Sequence, residues 1–247
     1  MVKNSLFPFS YSVVVVPFLA VISIWLVFFC ELFFKVNLNE YGIFPLSLKG
    51  LRGVFISPFL HSSIGHLYHN TIPLFALIAV LFYFYREVAW KVLLLGAIFT
   101  GTVTWFIGRP SYHIGASGII YFLASFIFFK GIFTKYYRLV AVSLLVVFLY
   151  GSMLWYIFPI EEKISWEGHL SGFVVGLTFS LLYNIRVTKK PIFDWEEESF
   201  NAQEDPFVKY FDAQGNFVGE SEDDTNNYED TEKVHYNYIY KPSKRNN

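Results

Sequence analysis

Six apolar stretches, at 11–34, 67–84, 89–108, 113–130, 138–157 and 166–184, constrain this 247-residue chain more than any other feature. Each supplies close to the ~20 residues that an α-helix needs to cross a hydrocarbon core of about 30 Å. Inside lipid a backbone amide finds no water to bond, so a spanning segment is either a helix or part of a closed barrel. The alternating segments of about ten residues that mark barrel strands do not occur. The stretches are therefore predicted to be helices, even where β-branched residues cluster, as in the valine run 13–16.

Charge is sorted along the chain. Residues 1–190 carry fourteen Lys and Arg against six Asp and Glu, whereas 191–247 carry five against fourteen. Only 16% of all residues are charged, against about a quarter in a soluble domain. The fold class this predicts is an all-α membrane protein. A six-helix transmembrane domain over 1–186 is followed by an acidic, largely disordered cytoplasmic tail over 187–247, with a small hairpin near Gly215-Asn216.

Orientation follows from the basic residues between spans. With the N-terminus in the cytoplasm, nine of them (Lys3, Arg86, Lys91, Lys130, Lys135, Arg138, Arg186, Lys189 and Lys190) fall inside and five (Lys35, Lys49, Arg52, Arg109 and Lys163) outside. Both termini are thus expected in the cytoplasm. The first run is longer than a signal-peptide core and has no convincing small-residue cleavage site, so it reads as a retained span. Without the composition of a transit peptide, a bacterial plasma (inner) membrane is the expected location. The lone Cys30 rules out an intramolecular disulfide and is expected as a buried thiol. The long connection from Lys35 to Gly65 is rich in Leu and Phe and is expected to lie in the outer leaflet.

Polar residues inside apolar spans are costly, which makes them functional candidates. Those that stand out are His61, His66, His69 and Asn70 around the start of the second span, Ser117 near the start of the fourth, and His169 near the start of the sixth. All three spans run in the same direction, so these side chains share one shallow layer. A serine hydroxyl becomes a useful nucleophile when a histidine takes its proton. Ser117 lies in Gly115-Ala116-Ser117-Gly118, and His169 in Gly168-His169-Leu170-Ser171-Gly172, with Gly176 four residues further on. The small residues allow these helices to approach closely. His66 and Asn70, four apart on one helical face, offer donors to a developing oxyanion beside the Ser117 backbone N–H.

No aspartate precedes Asp194, which excludes intramembrane aspartyl chemistry; the absence of HExxH argues against a zinc protease of that type. Glu167, two residues before His169, points away from it on a helix. A Ser117–His169 dyad is the simplest assignment, with Tyr121 one turn after Ser117 able to stack on the His169 ring. His61 reads either as a helix cap or as site support. His69 is expected at the lipid interface, His113 in a loop and His235 solvated in the tail.

At these positions the chain resembles the rhomboid intramembrane serine proteases. The resemblance rests on Gly115-Ala116-Ser117-Gly118 with Tyr121, on Gly168-His169 followed by Gly172 and Gly176, and on His61, His66 and Asn70, over roughly residues 11–185. It implies Ser117 as nucleophile and His169 as general base and then acid. His66 and Asn70 would serve the oxyanion site, Tyr121 would partner the His169 ring, and His61 would support the cavity. It also implies single-span membrane proteins as substrates, cut near the outer face, with span five and the 158–165 loop as gate. One departure is Leu51-Arg52, where the family often has tryptophan–arginine. The partners expected are transmembrane protein substrates and the lipid bilayer, with no nucleic acid, metal or cofactor.

Two other classes could use such a layer. A relative that has lost catalysis and binds membrane proteins for trafficking or quality control would be expected to lack the serine or the histidine. A transporter or channel would need polar residues continuing into the inner halves of spans two, four and six, which show no matching set.

Overall fold

The computed structural model describes residues 9–161, 164–185, 200–201, 207–212 and 214–218, and the chain divides into two units, 1–188 and 189–247. In the first unit all six apolar stretches are helical. In chain order the helices are α1 (Ser12–Phe34), α2 (Leu48–Leu51), α3 (Gly53–Ile56), α4 (Ile64–Phe84), α5 (Ala89–Ile107), α6 (Ser117–Thr134), α7 (Tyr137–Tyr150) and α8 (Trp166–Leu182). A 3-10 segment, Gly151–Ile157, prolongs α7. Helices α1, α4, α5, α6 and α7 with its prolongation are long and apolar enough to cross a membrane. Helix α8, at 17 residues, spans about 26 Å. Among the described residues there is no β-strand, only isolated bridges. This is an integral membrane protein, and its exterior fits that: Phe18, Leu26, Phe33, Leu94, Phe106 and Phe148 are exposed, an apolar surface suited to lipid rather than water.

The centre of the bundle is the pair α6 and α8. A methyl group on Gly172 would lie 2.2 Å from the Gly118 carbonyl oxygen, and one on Gly176 2.4 Å from the Phe122 carbonyl oxygen. Only glycine at both positions lets the two backbones touch, as small-residue stripes do between membrane helices. Helix α1 packs against α4 along Val13, Pro17, Ile24 and Phe28, with Trp25 Nε1 donating to Thr71 Oγ1 at 3.0 Å. Cys30 lies off that stripe and is exposed, so the expectation of a buried thiol is corrected.

Two helix starts differ from their expected positions, each for a local reason. Helix α4 begins at Ile64 because Ser63 caps it, its hydroxyl accepting the His66 N–H at 3.2 Å. Ser63, rather than His61, is therefore the cap. Helix α6 begins at Ser117 instead of 113. Ile43 and His113 exchange backbone hydrogen bonds of 3.0 and 2.8 Å, the Gly115 N–H donates to the Ser57 carbonyl at 2.8 Å, and Gly115 has φ +107°. The long connection thus holds 113–116 out of helix and sets where α6 starts.

Arg52 anchors that connection in its own way. Its guanidinium sits 4.2 Å from the centre of the Tyr41 ring and donates to the Glu40 carbonyl at 3.1 Å. Leu51 beside it is exposed.

Far from the dyad the bundle also buries polar groups. Ser125 Oγ donates to the Phe173 carbonyl at 2.7 Å, Lys130 Nζ to the Ser180 carbonyl at 3.0 Å, and Ser180 Oγ to the Leu177 carbonyl at 2.6 Å. Each is spent on a helix carbonyl, Lys130 on one of the unpaired carbonyls that end α8. The bonds of Ser125 and Lys130 join α6 to α8, and that of Ser180 lies within α8.

In the second unit, Phe211 and Phe217 form an antiparallel bridge around a turn in which Gly215 has φ +84°. The Asp212 carboxylate accepts the backbone N–H groups of Gln214 and Asn216 at 2.9 and 2.8 Å. The expected small hairpin is present there. The expectation of irregular chain over 187–247 falls mainly outside the described residues.

Candidate active site

Ser117 is the first residue of α6 and His169 the fourth of α8, so the glycine-mediated contact of these helices decides how near they come. Ser117 Oγ stands 2.9 Å from His169 Nε2. On its other side His169 Nδ1 is 2.9 Å from the Tyr156 carbonyl oxygen. A carbonyl only accepts, so the proton is on Nδ1 and Nε2 presents a lone pair to the serine hydroxyl. The Tyr121 ring lies parallel to the imidazole, with centroids 4.2 Å apart and planes at 11°, and Tyr121 Oη donates to the Met153 carbonyl at 2.5 Å. His169 and Tyr121 are buried, whereas Ser117 is partly exposed.

His66 and Asn70 converge on the residue two before the serine. A methyl on Gly115 would stand 2.8 Å from His66 Nε2 and 3.6 Å from Asn70 Nδ2. Asn70 is buried and its Nδ2 has no hydrogen-bond partner among the described residues. Ser62 Oγ is 3.4 Å from His66 Nδ1. The N–H groups opening α6 have no acceptor within their own helix and carry the positive end of its dipole. An oxyanion beside Ser117 would therefore meet side-chain and backbone donors together.

His61 lies against His66, ring centroids 5.0 Å apart, with Nδ1 3.3 Å from the Phe59 carbonyl oxygen. Burial first, and then the neighbouring His66 ring, pull its pKa down to about 4 against the pull of that carbonyl. His61 is thus neutral at physiological pH. His69 is exposed, and His235 lies outside the described residues.

His113 is a loop residue with a larger role than its sequence suggests. Its Nδ1 is 2.6 Å from Ser165 Oγ and its Nε2 3.1 Å from the Arg109 carbonyl oxygen, which joins the approach to α6 to the approach to α8. Burial lowers its pKa, opposed by the Arg109 carbonyl and by Glu167. Glu167 turns from His169 toward Arg109, its Oε1 3.7 Å from Arg109 Nε and 3.3 Å from the Arg109 backbone N. The Tyr156 carbonyl, the link from His113 to Ser165 and the pair of Glu167 with Arg109 all escaped the sequence reading. Backbone groups leave no mark in a sequence, and the two side-chain contacts each join positions more than 50 residues apart.

Next to Ser117 is a cavity of about 30 Å³, bordered among others by Ser57, Thr100, Thr104 and Ser165. Thr100 Oγ1 is buried there with no partner among the described residues. The space carries polar groups on part of its wall and is large enough for a water molecule.

Residues 49–186 match the family model described as the Rhomboid domain. The chain belongs to the rhomboid family. The matched segment of this rhomboid includes Ser117 and His169 and leaves out α1. Uncharacterized proteins of Mycobacterium bovis and Mycobacterium tuberculosis are each 37% identical to it over 157 residues, 59% of this chain and 65% of theirs. An uncharacterized protein of Mycobacterium leprae is 30% identical over 187 residues, 69% of this chain and 70% of its own. The rhomboid chain thus spans about two thirds of the length of the curated relatives that it matches.

Proposed function

We propose that this rhomboid is an intramembrane serine endopeptidase that cleaves transmembrane segments of membrane proteins. The observation that carries the reading is the 2.9 Å contact of Ser117 Oγ with His169 Nε2, on an imidazole whose other nitrogen donates to a carbonyl. His169 takes the Ser117 proton as Oγ adds to the scissile carbonyl. His66, Asn70 and the N–H groups opening α6 stabilise the oxyanion, for which Gly115 leaves room. Collapse of that intermediate breaks the C–N bond, with His169 returning the proton to the leaving amine. Water, for which the cavity beside Thr100 offers a place, then adds to the acyl-enzyme ester with His169 again as base and restores Ser117. Tyr121 holds the ring by stacking, and His61 supports His66. No metal or cofactor takes part.

In this reading α8 is the sixth crossing, and both termini lie in the cytoplasm of a bacterium whose plasma membrane holds the bundle. The tail over 187–247 is cytoplasmic. The basic-residue distribution supports that orientation.

Treating the purified protein with a fluorophosphonate and locating the adduct tests the chemistry. An adduct on Ser117, lost in Ser117→Ala and His169→Ala, together with cleavage of a single-span substrate lost in the same variants, is the expected result. A well-folded protein that neither labels nor cleaves would instead be a binding relative without catalysis.

A further inference from the structure

Both groups that orient the His169 ring are tied to one short piece of chain. The Tyr156 carbonyl accepts from Nδ1, and the stacked Tyr121 is held through its hydroxyl by the Met153 carbonyl. Met153 and Tyr156 belong to the 3-10 segment Gly151–Ile157, in which no residue is buried. Behind it, between α6 and α7, is an apolar cavity of about 280 Å³ bordered by Tyr121, Phe129, Val146, Tyr150 and Met153. The opposite end of α7 is packed: Leu139 and Ser143 are fully buried, and Ser143 Oγ donates to the Ile127 carbonyl at 3.3 Å. Helix α7 is therefore pinned at its start. Its far end stands over a void, and two hydrogen bonds join that end to His169 and to the Tyr121 ring stacked on it.

We infer that segment 151–157 is a latch that makes His169 competent only while it is seated, with the Tyr156 carbonyl as positioning group in the place a triad gives to a carboxylate. This deepens the protease reading above and rests on it. A carboxylate in that place fixes the tautomer and the direction of the ring, and with the wrong tautomer the base has no lone pair for the serine. When the segment lifts, Nδ1–H loses its acceptor, the Tyr121 stack loses its tether, and the proton is free to move to Nε2. Chemistry then stops until the segment returns. A substrate that displaces the segment on its way in meets an idle base, and peptide-bond cleavage waits for reseating. A plain gate would behave in the opposite way, since loosening it would only improve access to Ser117.

The test separates the two. Replacing Ile157 with its α-hydroxy analogue turns the Tyr156 carbonyl into an ester carbonyl, a weaker acceptor, without altering any other side chain. The same replacement at Trp155 weakens the Leu154 carbonyl instead and serves as the control for loss of 3-10 bonding. Tyr121→Phe keeps the stacked ring but removes its bond to Met153. Fluorophosphonate labelling of Ser117 reports the dyad with a small reagent that has no need of a gate, and ¹⁵N-histidine NMR reports the His169 tautomer. With the ester at 157 and with Tyr121→Phe, labelling is expected to slow about tenfold, a fraction of the ~10⁴ that a wrong tautomer costs. An Nε2–H signal should appear at His169, while the ester at 155 changes neither readout. Unaltered labelling and tautomer in both altered proteins, or faster labelling, would overturn the latch and leave the protease standing. No labelling of the unaltered protein would remove both.

Discussion

Gly172 rests so closely on Gly118 that a single methyl group at 172 would come within 2.2 Å of the Gly118 carbonyl oxygen. This contact lies one turn from His169 and at the start of α6, so it fixes the separation of the dyad. Gly172→Ala must push the helices apart. Overpacking of this kind costs about 1–3 kcal/mol. A shift of the base by about 1 Å lowers the rate by about 100-fold. Gly65→Ala is the control, because a methyl there meets only Ser63 Oγ, at 3.9 Å. Thermal unfolding and substrate cleavage should show loss of both properties for the first variant and of neither for the second.

Asn70 predicts a split between activity and stability. Its buried Nδ2 has no partner among the described residues, so the fold gains little from it and bears its desolvation. Asn70→Ala should unfold at the same temperature or higher. An oxyanion donor is worth about 100-fold to 1000-fold in kcat, and that loss should appear with little change in KM. A variant that loses stability in proportion to its activity would mark Asn70 as a packing residue.

The helices were legible because lipid imposes a single solution on an apolar run, and Ser117, His169, His66 and Asn70 were legible because polar groups in such runs stand out. What was hidden depends on contacts without a local signature. That α6 begins at Ser117 is decided by Ile43, Ser57 and Gly115, and no periodicity shows that residues 113–116 are held out of the helix. Cys30 is exposed because a helix facing lipid turns apolar residues outward, whereas an apolar neighbourhood means burial only in a soluble protein. Helical spacing turns Glu167 from His169, but its partner Arg109 is 58 residues away and leaves no local sign.

That pair predicts an asymmetry. The Glu167 side chain is 2% exposed and that of Arg109 35%. Arg109→Ala leaves a carboxylate buried without its countercharge, and removing one partner of a buried pair costs about 3–5 kcal/mol. Glu167→Gln leaves a guanidinium that can turn to water and still donate to the Ile164 carbonyl, now 2.8 Å from Nη2, so its cost should be about 1 kcal/mol. Denaturation of the two variants in the same detergent checks the order. Equal losses would mean that the pair acts through the backbone bonds of the loop and not through charge.

His61 and His113 together predict how stability responds to acid. Both are neutral in the fold, and burial is the first cause in each; for His61 the folded pKa is about 4. In the unfolded chain each titrates near 6.5. Above that pH neither state holds the extra proton and stability is complete. As pH falls below 6.5 the unfolded chain takes up protons that the folded one refuses, so stability falls by at most about 1.4 kcal/mol per pH unit for each histidine. For His61 the fall continues to about pH 4, which amounts to about 3 kcal/mol. Unfolding midpoints of the Ser117→Ala protein, used to prevent self-cleavage, should therefore drop steadily from pH 6.5 to 4.5. Adding His61→Asn or His113→Asn should flatten that slope, because neither replacement titrates. A slope unaffected by both would assign the acid sensitivity to other groups.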